Sequence, residues 1–404
     1  MKTVAIVGTF DSKGVEFQYF RDQVIKEGAE TVMVDVGVLG EPAFNPDIRA
    51  NEIASAGGME LTRLREKKDR AQSNEVMRKG AAIVVKKLYD EGKIDGVATM
   101  GGGQGSNIAA HVMRALPVGF PKVLLSTLAT TKFVVPIFEG INDTMVMNTL
   151  VDVSGLNHIL RSVIDKAASA IVGMVNNRVE EENEKPRIAL SMLGITTPCV
   201  SRIQKRIDAA NYETLVFHAN GLGGKTMEKL IEQGEIQGVV DMTIYEVIAN
   251  YRKVDGDAGP NRLEAAGKMG IPQIICPGAM DILNFAPPES MPEEYRDRKF
   301  IMHVNELKVA RSSVEENQIM GERIAKKLNQ AKGPVIVVLP LKGLSYNDMP
   351  EKEFYDAKAN EALFKALKQN LNNHIPVIEK DYHINDPEFA DAVADIFFDL
   401  VKPV

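Results

Sequence analysis

The chain is poor in cysteine and in aromatic residues, on which several large classes of protein depend. Only 2 of its 404 residues are cysteine, tryptophan is absent, and aromatic residues make up 6%. Two cysteines cannot build a disulfide framework, which favours a reduced intracellular protein. Apolar runs of about 18 residues are absent, and Met1–Gly8 is followed by no signal-peptide cleavage pattern. We therefore expect a soluble protein of the cytoplasm, with no membrane partner.

Positive charge is also in the minority, since 48 Lys and Arg stand against 55 Asp and Glu, for a net charge of −7. This balance argues against a broad surface that binds nucleic acid. The 6 histidines show no zinc-type spacing. What remains is a globular composition, 45% hydrophobic and 25% charged, in a length that suggests two domains.

Short apolar runs alternate with helix-period segments along the chain. In the first half the predicted strands are Val4–Val7, Thr31–Val34, Gly96–Met100, Val123–Ser126 and Thr144–Met147. The predicted helices are Val15–Glu27, Glu75–Glu91 and Leu156–Val175. Such alternation predicts α/β domains of the Rossmann-like type, each with a mainly parallel sheet.

The polar, acidic segment 180–186 is predicted to be a linker between a nucleotide-binding domain, 1–179, and a C-terminal domain, 187–404. Beyond it, four strand-like segments repeat in order, which predicts an internal duplication. The matched pairs are Thr3–Thr9 with Arg187–Leu193, Glu30–Asp35 with Glu213–His218, Gly92–Val97 with Gly234–Val239, and Phe120–Leu125 with Ile271–Cys276. The halves differ by insertions at Gly40–Asn74 and Ala286–Lys299. Because ligands bind beyond the carboxyl ends of parallel strands, we expect a ligand cleft there, between the domains.

The most specific motif is a glycine loop that follows the third predicted strand and opens a helix. Its residues are Gly101, Gly102, Gly103, Gln104, Gly105 and Ser106. Glycines let backbone N–H groups approach a phosphate, and the helix start adds a positive dipole end. Ser106 is expected to cap the helix or to contact a phosphate. The alternative is a tight turn without a ligand, but the second half has no glycines at this place, which favours a function.

The turn after the first strand carries Thr9, Asp11, Ser12 and Lys13. Asp11 or Ser12 is a natural N-cap for the next helix, and Lys13 either neutralises a phosphate or is simply solvated. Asp35 suits the acidic position of a dinucleotide site, but the glycines that such a site needs in the first turn are missing, which disfavours NAD.

The turn after the fourth strand is rich in hydroxyl groups, which bind phosphate or carboxylate oxygens or cap a helix. The candidates for a cofactor contact are Ser126, Thr127 and Thr130. Carboxylates near these turns are candidates for Mg²⁺, which prefers one or two carboxylates plus substrate phosphates. They are Asp11, the main candidate, and Asp143 and Asp152.

In the second half, Thr197 as N-cap and Pro198 as the first helical residue place Cys199 at a helix start. A thiol there can have a lowered pKa and act as a nucleophile, although a buried inert cysteine is the commoner case. Cys276 is expected to face the same crevice. The candidates for substrate contacts are Thr196, Thr197, Pro277 and Gly278.

Two histidines are candidates for acid–base chemistry. His303 lies at a strand end and His383 in a polar turn before the last helix. For each of them the alternative is a structural role.

Several motifs together resemble one family, in order and spacing, across the whole chain. They are Gly8–Lys13, Gly101–Ser106, Asp152–Asn157, Thr196–Cys199 and His383–Phe389. This is the Tm-one-like ATP-binding family of bacteria, fungi and plants, which includes the N-terminal region of the tomato mosaic virus resistance protein. The resemblance implies two Rossmann-like domains, ATP binding and a homodimer, and it places the nucleotide phosphates at the glycine loop and the first turn. The segment 348–354 lacks a glycine that relatives often carry.

Three hypotheses about function follow. The first is an ATP-binding protein, with or without Mg²⁺, that acts as a metabolic enzyme on a small substrate in the cleft. The second is a non-catalytic interaction module in which ATP stabilises a dimer. The third is a cofactor-free lyase, racemase or hydrolase that uses Cys199. The sequence leaves open whether the protein is an enzyme.

Overall fold

The computed structural model describes residues 1–130, 143–177, 185–304 and 306–401. The chain divides into two compact units, Met1–Glu181 and Glu182–Val404. The division falls within the segment 180–186, of which only 185 and 186 are among the described residues.

The first unit is a parallel five-stranded sheet with helices on both faces. Its strands are β1 (Thr3–Gly8), β2 (Glu30–Asp35), β3 (Gly96–Gly101), β4 (Lys122–Ser126) and β5 (Met145–Asn148). Its helices are α1 (Gly14–Lys26), α2 (Ala50–Ala56), α3 (Leu61–Lys67), α4 (Arg70–Asp90), α5 (Gly103–Ala115) and α6 (His158–Asn176). Along β1, Val4 and Ile6 pack against α1 and α6, while Ala5 and Val7 pack on the side of α4 and α5. Burial on both faces is why β1 is continuously apolar.

The strand order in this sheet is β2-β1-β3-β4-β5. The chain leaves β1 toward β2 on one side and leaves β3 toward β4 on the other. The connections therefore diverge between β1 and β3, and a crevice opens beyond their carboxyl ends. Both the first turn and the glycine loop lie at this point.

The second unit contains a parallel six-stranded sheet and a smaller antiparallel one. The strands are β6 (Arg187–Met192), β7 (Glu213–His218), β8 (Gly238–Thr243), β9 (Gln273–Gly278), β10 (Ile282–Phe285), β11 (Phe300–Val304), β12 (Leu307–Arg311), β13 (Val335–Pro340) and β14 (Val377–Lys380). The helices are α7 (Thr197–Ala209), α8 (Leu222–Glu232), α9 (Tyr245–Arg252), α10 (Ala265–Met269), α11 (Val314–Leu328), α12 (Ala357–Asn370) and α13 (Pro387–Leu400).

The large sheet of the second unit has the order β7-β6-β8-β9-β13-β14. Its first five strands repeat the order of the first unit, and the four matched sequence segments occupy corresponding places. The small sheet, β10-β12-β11, has no counterpart among the described residues of the first unit. The predicted α/β fold with two mainly parallel sheets is therefore confirmed.

The predicted strands of the first half are confirmed with ends that shift by no more than one residue. The largest shift among the predicted helices is in α4, which begins at Arg70 rather than Glu75. Asp69 explains the difference, because its carboxylate caps the helix by accepting hydrogen bonds from the N–H groups of Ala71 and Gln72. Within the described ranges, no helix is long and apolar enough to cross a membrane.

Candidate functional site

A cavity of about 920 Å³ opens at the carboxyl edge of the first sheet, beyond β1 and β3. Nine of the predicted cofactor contacts line it, namely Thr9, Asp11, Ser12, Lys13, Gly101, Gly102, Gly103, Gln104 and Gly105. The other four, Ser106, Ser126, Thr127 and Thr130, do not line it.

The glycine loop presents free backbone donors to the cavity. Gly102 is the N-cap of α5, and the first N–H of the helix to find a partner is that of Ser106, which donates to the Gly102 carbonyl at 2.8 Å. Among the described residues, the N–H groups of Gly103, Gln104 and Gly105 have no hydrogen-bond partner. Three donors and the positive end of the helix dipole thus converge on the cavity.

Contacts within the chain do not explain why most of these positions are glycine. A Cβ at Gly101 would come within 3.0 Å of Gly105 Cα, but one at Gly102 would meet nothing nearer than Thr127 Oγ1 at 3.5 Å. At Gly103 the nearest atom is Leu128 Cδ1 at 4.0 Å. The backbone angle φ of these glycines is also outside the left-handed region. Open space at Gly102 and Gly103 is suited to a ligand that approaches the backbone closely.

Ser106 neither caps the helix nor faces a ligand, so that prediction is wrong. It lies within the first turn of α5 and is fully buried, with its Oγ 2.7 Å from Ser126 Oγ and 3.3 Å from the Gly101 carbonyl oxygen. Ser126 also accepts a hydrogen bond from the N–H of Leu128 at 3.0 Å. The two serines join the ends of β3 and β4.

The remaining hydroxyl residues of the fourth turn are also outside the cavity. Thr127 donates its backbone N–H to the Gly101 carbonyl at 3.3 Å, and Thr130 Oγ1 accepts from the side-chain amide of Asn148 at 3.0 Å. Residues 131 and 132 lie outside the described residues. This turn therefore supports the glycine loop through the hydrogen bond from Thr127 to Gly101 and does not line the cavity.

The first turn differs from its predicted capping pattern. Lys13 is the N-cap of α1, so neither Asp11 nor Ser12 caps that helix. Asp11 instead reaches the segment after β2, where its Oδ2 accepts from the N–H groups of Leu39 at 2.6 Å and Gly40 at 3.2 Å. Because the carboxylate binds backbone donors 28 residues further along the chain, it does not cap the helix.

The other side chains of the first turn remain at the cavity. Ser12 Oγ donates to Thr9 Oγ1 at 3.1 Å. Lys13 lines the cavity and donates its ammonium group to the carbonyl oxygen of Val153, in the segment that follows β5. Its charge is not paired with a carboxylate among the described residues.

Asp35, the acidic residue that ends β2, is not available to a ribose. It is buried, and its Oδ1 accepts from the N–H groups of Phe10 at 3.1 Å and Gly37 at 2.9 Å. Burial raises the pKa of this carboxyl group. Asp35 therefore shapes the first turn.

Of the three carboxylates considered for Mg²⁺, only Asp11 lies at the cavity. The prediction for Asp143 is wrong, because this residue pairs with Lys122 Nζ at 2.9 Å at the amino end of β4, the opposite edge of the sheet. Asp152 accepts from the N–H of Val153 at 2.8 Å. In the parts of the chain that the structure describes, no group of three or more metal-binding side chains occurs.

The sequence did not indicate that the insertion Gly40–Asn74 forms one wall of the cavity. It contains α2, α3 and the start of α4, and it contributes Leu64, Arg65, Lys68, Asp69, Arg70, Ser73 and Asn74 to the lining. Arg65 holds the insertion in place by donating to the carbonyl oxygens of Val38 at 3.2 Å and Gly40 at 2.5 Å, and to Glu41 at 3.0 Å. The only sequence signal was the run of charged residues at 65–70.

Positive charge dominates the cavity although the chain as a whole is acidic. Its lining holds the cations Lys13, Arg65, Lys68 and Arg70 and the carboxylates Asp11 and Asp69. Both carboxylates accept backbone hydrogen bonds, and the side chains of Lys68 and Arg70 are exposed, without an ion-pair partner among the described residues. The cavity is therefore suited to an anion.

The predicted nucleophile of the second unit is a core residue. Cys199 is 1% exposed and packs in an apolar cluster with Val200 and Phe389, and Cys276 lies in the same cluster. Burial raises the pKa of both thiols, which reverses the predicted lowering of the Cys199 pKa. The prediction that the two thiols face a ligand crevice is wrong.

The predicted substrate contacts of the second unit serve its own structure. The N-cap of α7 is Thr196 rather than Thr197. Thr196 is buried and its Oγ1 lies 2.8 Å from Thr243 Oγ1, while Thr197 Oγ1 donates to the Leu193 carbonyl at 3.1 Å. Pro277 and Gly278 are buried inside β9.

The two candidate histidines have different surroundings. His303 is exposed on β11, at the edge of the antiparallel sheet. His383 is buried, with Nε2 at 2.9 Å from the Ser345 carbonyl oxygen and Nδ1 at 3.1 Å from the N–H of Asn385. Burial lowers the pKa of His383. These contacts favour the structural alternative for His383.

Where the first unit has its glycine loop, the second unit has a buried carboxylate. Glu246 follows β8 and accepts from the N–H groups of Gly221 at 2.6 Å and Gly224 at 3.0 Å, at the start of α8. Arg262 donates to the same carboxylate at 2.7 Å. The second unit thus uses a side chain from the counterpart of the glycine loop as an anion for the start of α8, the helix that follows β7.

Comparisons with known proteins identify a family for both units. A family model described as the N-terminal domain of the uncharacterised protein family UPF0261 matches residues 2–180, and the model of the C-terminal domain of that family matches residues 185–401. The predicted family resemblance is confirmed, while the ATP binding that it implies stays a prediction.

Several relatives match over most of the chain. A UPF0261 protein of Clostridium tetani is 42% identical over 403 residues, which cover 99% of each chain. The UPF0261 protein RA0729 of Rhizobium meliloti is 36% identical over 405 residues, covering 100% of both. The ToMV resistance protein Tm-1(GCR237) of Solanum lycopersicum is 37% identical over 335 residues, covering 80% of this chain and 44% of that protein.

Solved structures are more distant. A UDP-N-acetylglucosamine 2-epimerase from Rickettsia bellii aligns with 99% of this chain and 96% of its own, at 11% identity and a TM-score of 0.24. At that TM-score the likeness supports no conclusion about fold or function.

Proposed function

The chain belongs to the uncharacterised protein family UPF0261, and we propose that its first unit binds ATP in the cavity beyond β1 and β3. The observation that carries the proposal is the set of unpartnered N–H groups of Gly103, Gln104 and Gly105 at the start of α5. In this arrangement they receive a phosphate group of the nucleotide.

Charge and shape support the same ligand. Lys13, Lys68 and Arg70 supply positive charge for a polyphosphate, and the volume of about 920 Å³ is within the range of small-molecule sites. The lining also contains an apolar surface on which a base can lie, formed by Val36, Val38, Leu39, Leu64, Met77 and Ile108. Asp11 is the candidate ligand for Mg²⁺ in this site. Its Oδ2 already accepts two backbone hydrogen bonds.

Thermal unfolding with ATP, ADP, GTP and NAD, each with Mg²⁺ or with EDTA, tests the proposal. A ligand at 100 times its dissociation constant adds about 2.7 kcal/mol to the free energy of unfolding, so a bound nucleotide raises the melting temperature. We expect ATP to do so and NAD not to. A chain that no nucleotide stabilises would falsify the proposal.

A pair of glycine variants locates the site. Gly103→Val fills the space in front of the free N–H groups, and we expect it to abolish the effect of ATP. Gly173→Val is the matched control, because a Cβ at this position of α6 meets nothing within 4 Å and Gly173 does not line the cavity. A Gly103→Val protein that ATP still stabilises means that the nucleotide binds elsewhere.

A further inference from the structure

The start of α1 contacts the segment that follows β5 through two hydrogen bonds of opposite polarity. Lys13, the N-cap of α1, donates its ammonium group to the carbonyl oxygen of Val153. Glu16, three residues further along, accepts a hydrogen bond from the N–H of Gly155 through its Oε1, at 2.6 Å. Of these four residues only Lys13 lines the cavity. The two contacts therefore connect a cation of the cavity to a segment outside it.

The usual partner of a glutamate at the position of Glu16 is occupied. Glu16 is the third residue of α1, and a glutamate there often accepts from the N–H of the N-cap residue. Here the N–H of Lys13 donates to the Thr9 carbonyl oxygen at 3.0 Å. Glu16 is only 5% exposed, so its carboxyl group needs a donor from within the chain. Gly155 supplies that donor.

The carbonyl group that holds Lys13 lies between two anchored residues. On one side, the Val153 side chain is 1% exposed and packs in the apolar cluster that contains α1 and α6. On the other side, Gly155 is held by Glu16 and has a φ of +78°, in the left-handed region that favours glycine. Loss of the Glu16 contact would release one of these two anchors.

Lys13 keeps two more ammonium hydrogens, which no described residue accepts. A lysine side chain loses much rotamer freedom when its ammonium is fixed by a ligand. A carbonyl that already holds the ammonium lowers this cost of binding. We propose that Glu16 is a positioning residue for the bound nucleotide: it fixes residues 153–155, and the Val153 carbonyl in turn holds the Lys13 ammonium for a phosphate. The inference rests on the proposed function and adds a residue that does not touch the ligand.

Charge alone predicts the opposite effect of Glu16 on binding. A carboxylate one helical turn from Lys13 repels an anion in the cavity, so its removal should strengthen ATP binding if charge were its only influence. Loss of the position of Lys13 should weaken ATP binding. A merely structural role would lower the stability of the fold and leave the affinity unaltered. The sign of the change in affinity separates these roles.

Three substitutions at Glu16 separate its hydrogen bond from its charge, with ATP affinity measured by calorimetry. Glu16→Gln keeps an oxygen within reach of the Gly155 N–H and removes the charge. Glu16→Asp keeps the charge on a side chain one methylene shorter, which withdraws it from Gly155. Glu16→Ala removes both. We expect Glu16→Gln to bind ATP within about 2-fold of the wild type, and the other two variants to bind it about 3-fold to 10-fold more weakly.

A double-mutant cycle shows whether the effect passes through Lys13. Lys13→Met should weaken ATP binding about 10-fold, as expected for the loss of a charge-assisted hydrogen bond. Adding Glu16→Asp to Lys13→Met should cause no further loss, because no ammonium is left to position. Additive losses would overturn the inference. Glu27→Ala is the matched control at the exposed far end of α1, off the cavity, and should leave the affinity unchanged.

The outcomes separate this inference from the proposed function. If the wild type binds ATP and every Glu16 variant binds it at least as tightly, the inference is wrong, while ATP binding stands. A Glu16→Gln protein that binds as weakly as Glu16→Asp also overturns it, because the hydrogen bond is then not what matters. If Glu16→Ala does not fold, the comparison of Glu16→Gln with Glu16→Asp gives the same decision. Failure of the wild type to bind ATP at all overturns the proposed function, and this inference with it.

Discussion

Ser106 and Ser126 share a hydrogen bond of 2.7 Å between their hydroxyl oxygens, inside the first unit and out of reach of the cavity. The bond joins β4 to the helix that opens with the glycine loop. Ser106 belongs to the glycine-loop motif, but its side chain stabilises the fold and does not contact the cavity.

Ser106→Ala should therefore separate stability from binding. It removes one hydroxyl of a buried pair, and we expect the free energy of unfolding to fall by about 1 kcal/mol while ATP affinity stays the same. Urea denaturation and calorimetry measure the two quantities. A large loss of ATP affinity in a folded Ser106→Ala protein would place this hydroxyl at the ligand after all.

Lys68→Ala should weaken ATP binding roughly 3-fold to 10-fold at low ionic strength and less at high salt, because an exposed cation is screened. Lys67→Ala is the matched control, since Lys67 is a neighbour that does not line the cavity and donates to Gln72 Oε1 at 3.1 Å. Equal effects of the two variants would show that Lys68 acts only through the overall charge of the insertion.

The two thiols should be inert in the folded protein. Burial raises the pKa of Cys199 and of Cys276, so little thiolate forms at pH 8 and a reagent cannot reach the sulfur atoms. We expect a chromogenic disulfide reagent to titrate neither thiol in buffer and both in urea. Rapid labelling of Cys199 in the native state would contradict the core position assigned to it.

The surroundings of Asp348 lead us to expect that the free energy of unfolding falls as pH rises from about 4 to 7. Burial, together with the neighbouring carboxylate of Asp281, raises the Asp348 pKa from 3.8 to about 7, with Arg311 and Asn360 acting in the opposite direction. The folded chain therefore holds a proton that the unfolded chain releases near pH 4. The contribution of this group to stability is present below pH 4 and is lost as pH rises toward 7.

The variant Asp348→Asn isolates that contribution. The difference in melting temperature between the wild type and Asp348→Asn should change steadily in favour of the variant as pH rises from 4.5 to 7.5. Titrating groups that do not interact with Asp348 cancel in the difference, so the change reports on Asp348 and its neighbour Asp281. A constant difference across this range would mean that Asp348 is ionised throughout.

Arg262 should be among the most sensitive positions for stability. It is fully buried and donates to Asp241 at 2.6 and 2.8 Å and to Glu246 at 2.7 Å, with Glu228 at 3.3 Å. Arg262→Met leaves these carboxylates without their cation, which we expect to cost about 3–5 kcal/mol. Arg296→Met, at an exposed ion pair, is the control and should change the unfolding free energy little. Similar melting temperatures for the two variants would contradict the central role of Arg262.

The sequence was most informative where a strand is buried on both faces, because such a strand must be apolar throughout. The β1 segment is one example, and its repeat in β6 is clear enough that the amino-acid pattern alone aligns the two sheets. The glycine loop was also recognisable, since several glycines after a strand are rarely needed for folding alone.

Local pattern was not enough where distant backbone groups compete for a side chain. Asp11 is a good N-cap by sequence, but the N–H groups of Leu39 and Gly40 hold its carboxylate. Cys199 stands at a helix start as expected, yet it points into the core, where burial outweighs the effect of the helix dipole on the thiol pKa. The charged run at 65–70 did not show which way Lys68 faces, and Asn74 gave no signal, because only the path of the insertion brings them to the cavity.

Glu246 has a consequence for the comparison of the two units. A carboxylate of the chain cannot diffuse away, so the backbone donors of Gly221 and Gly224 are permanently saturated. In the first unit the free N–H groups lie at a different helix start, that of α5 after β3, and no described residue of the chain accepts from them. The chain therefore supplies the acceptor for one helix start from its own side chains and leaves the donors of the other helix start open to solvent or to a solute.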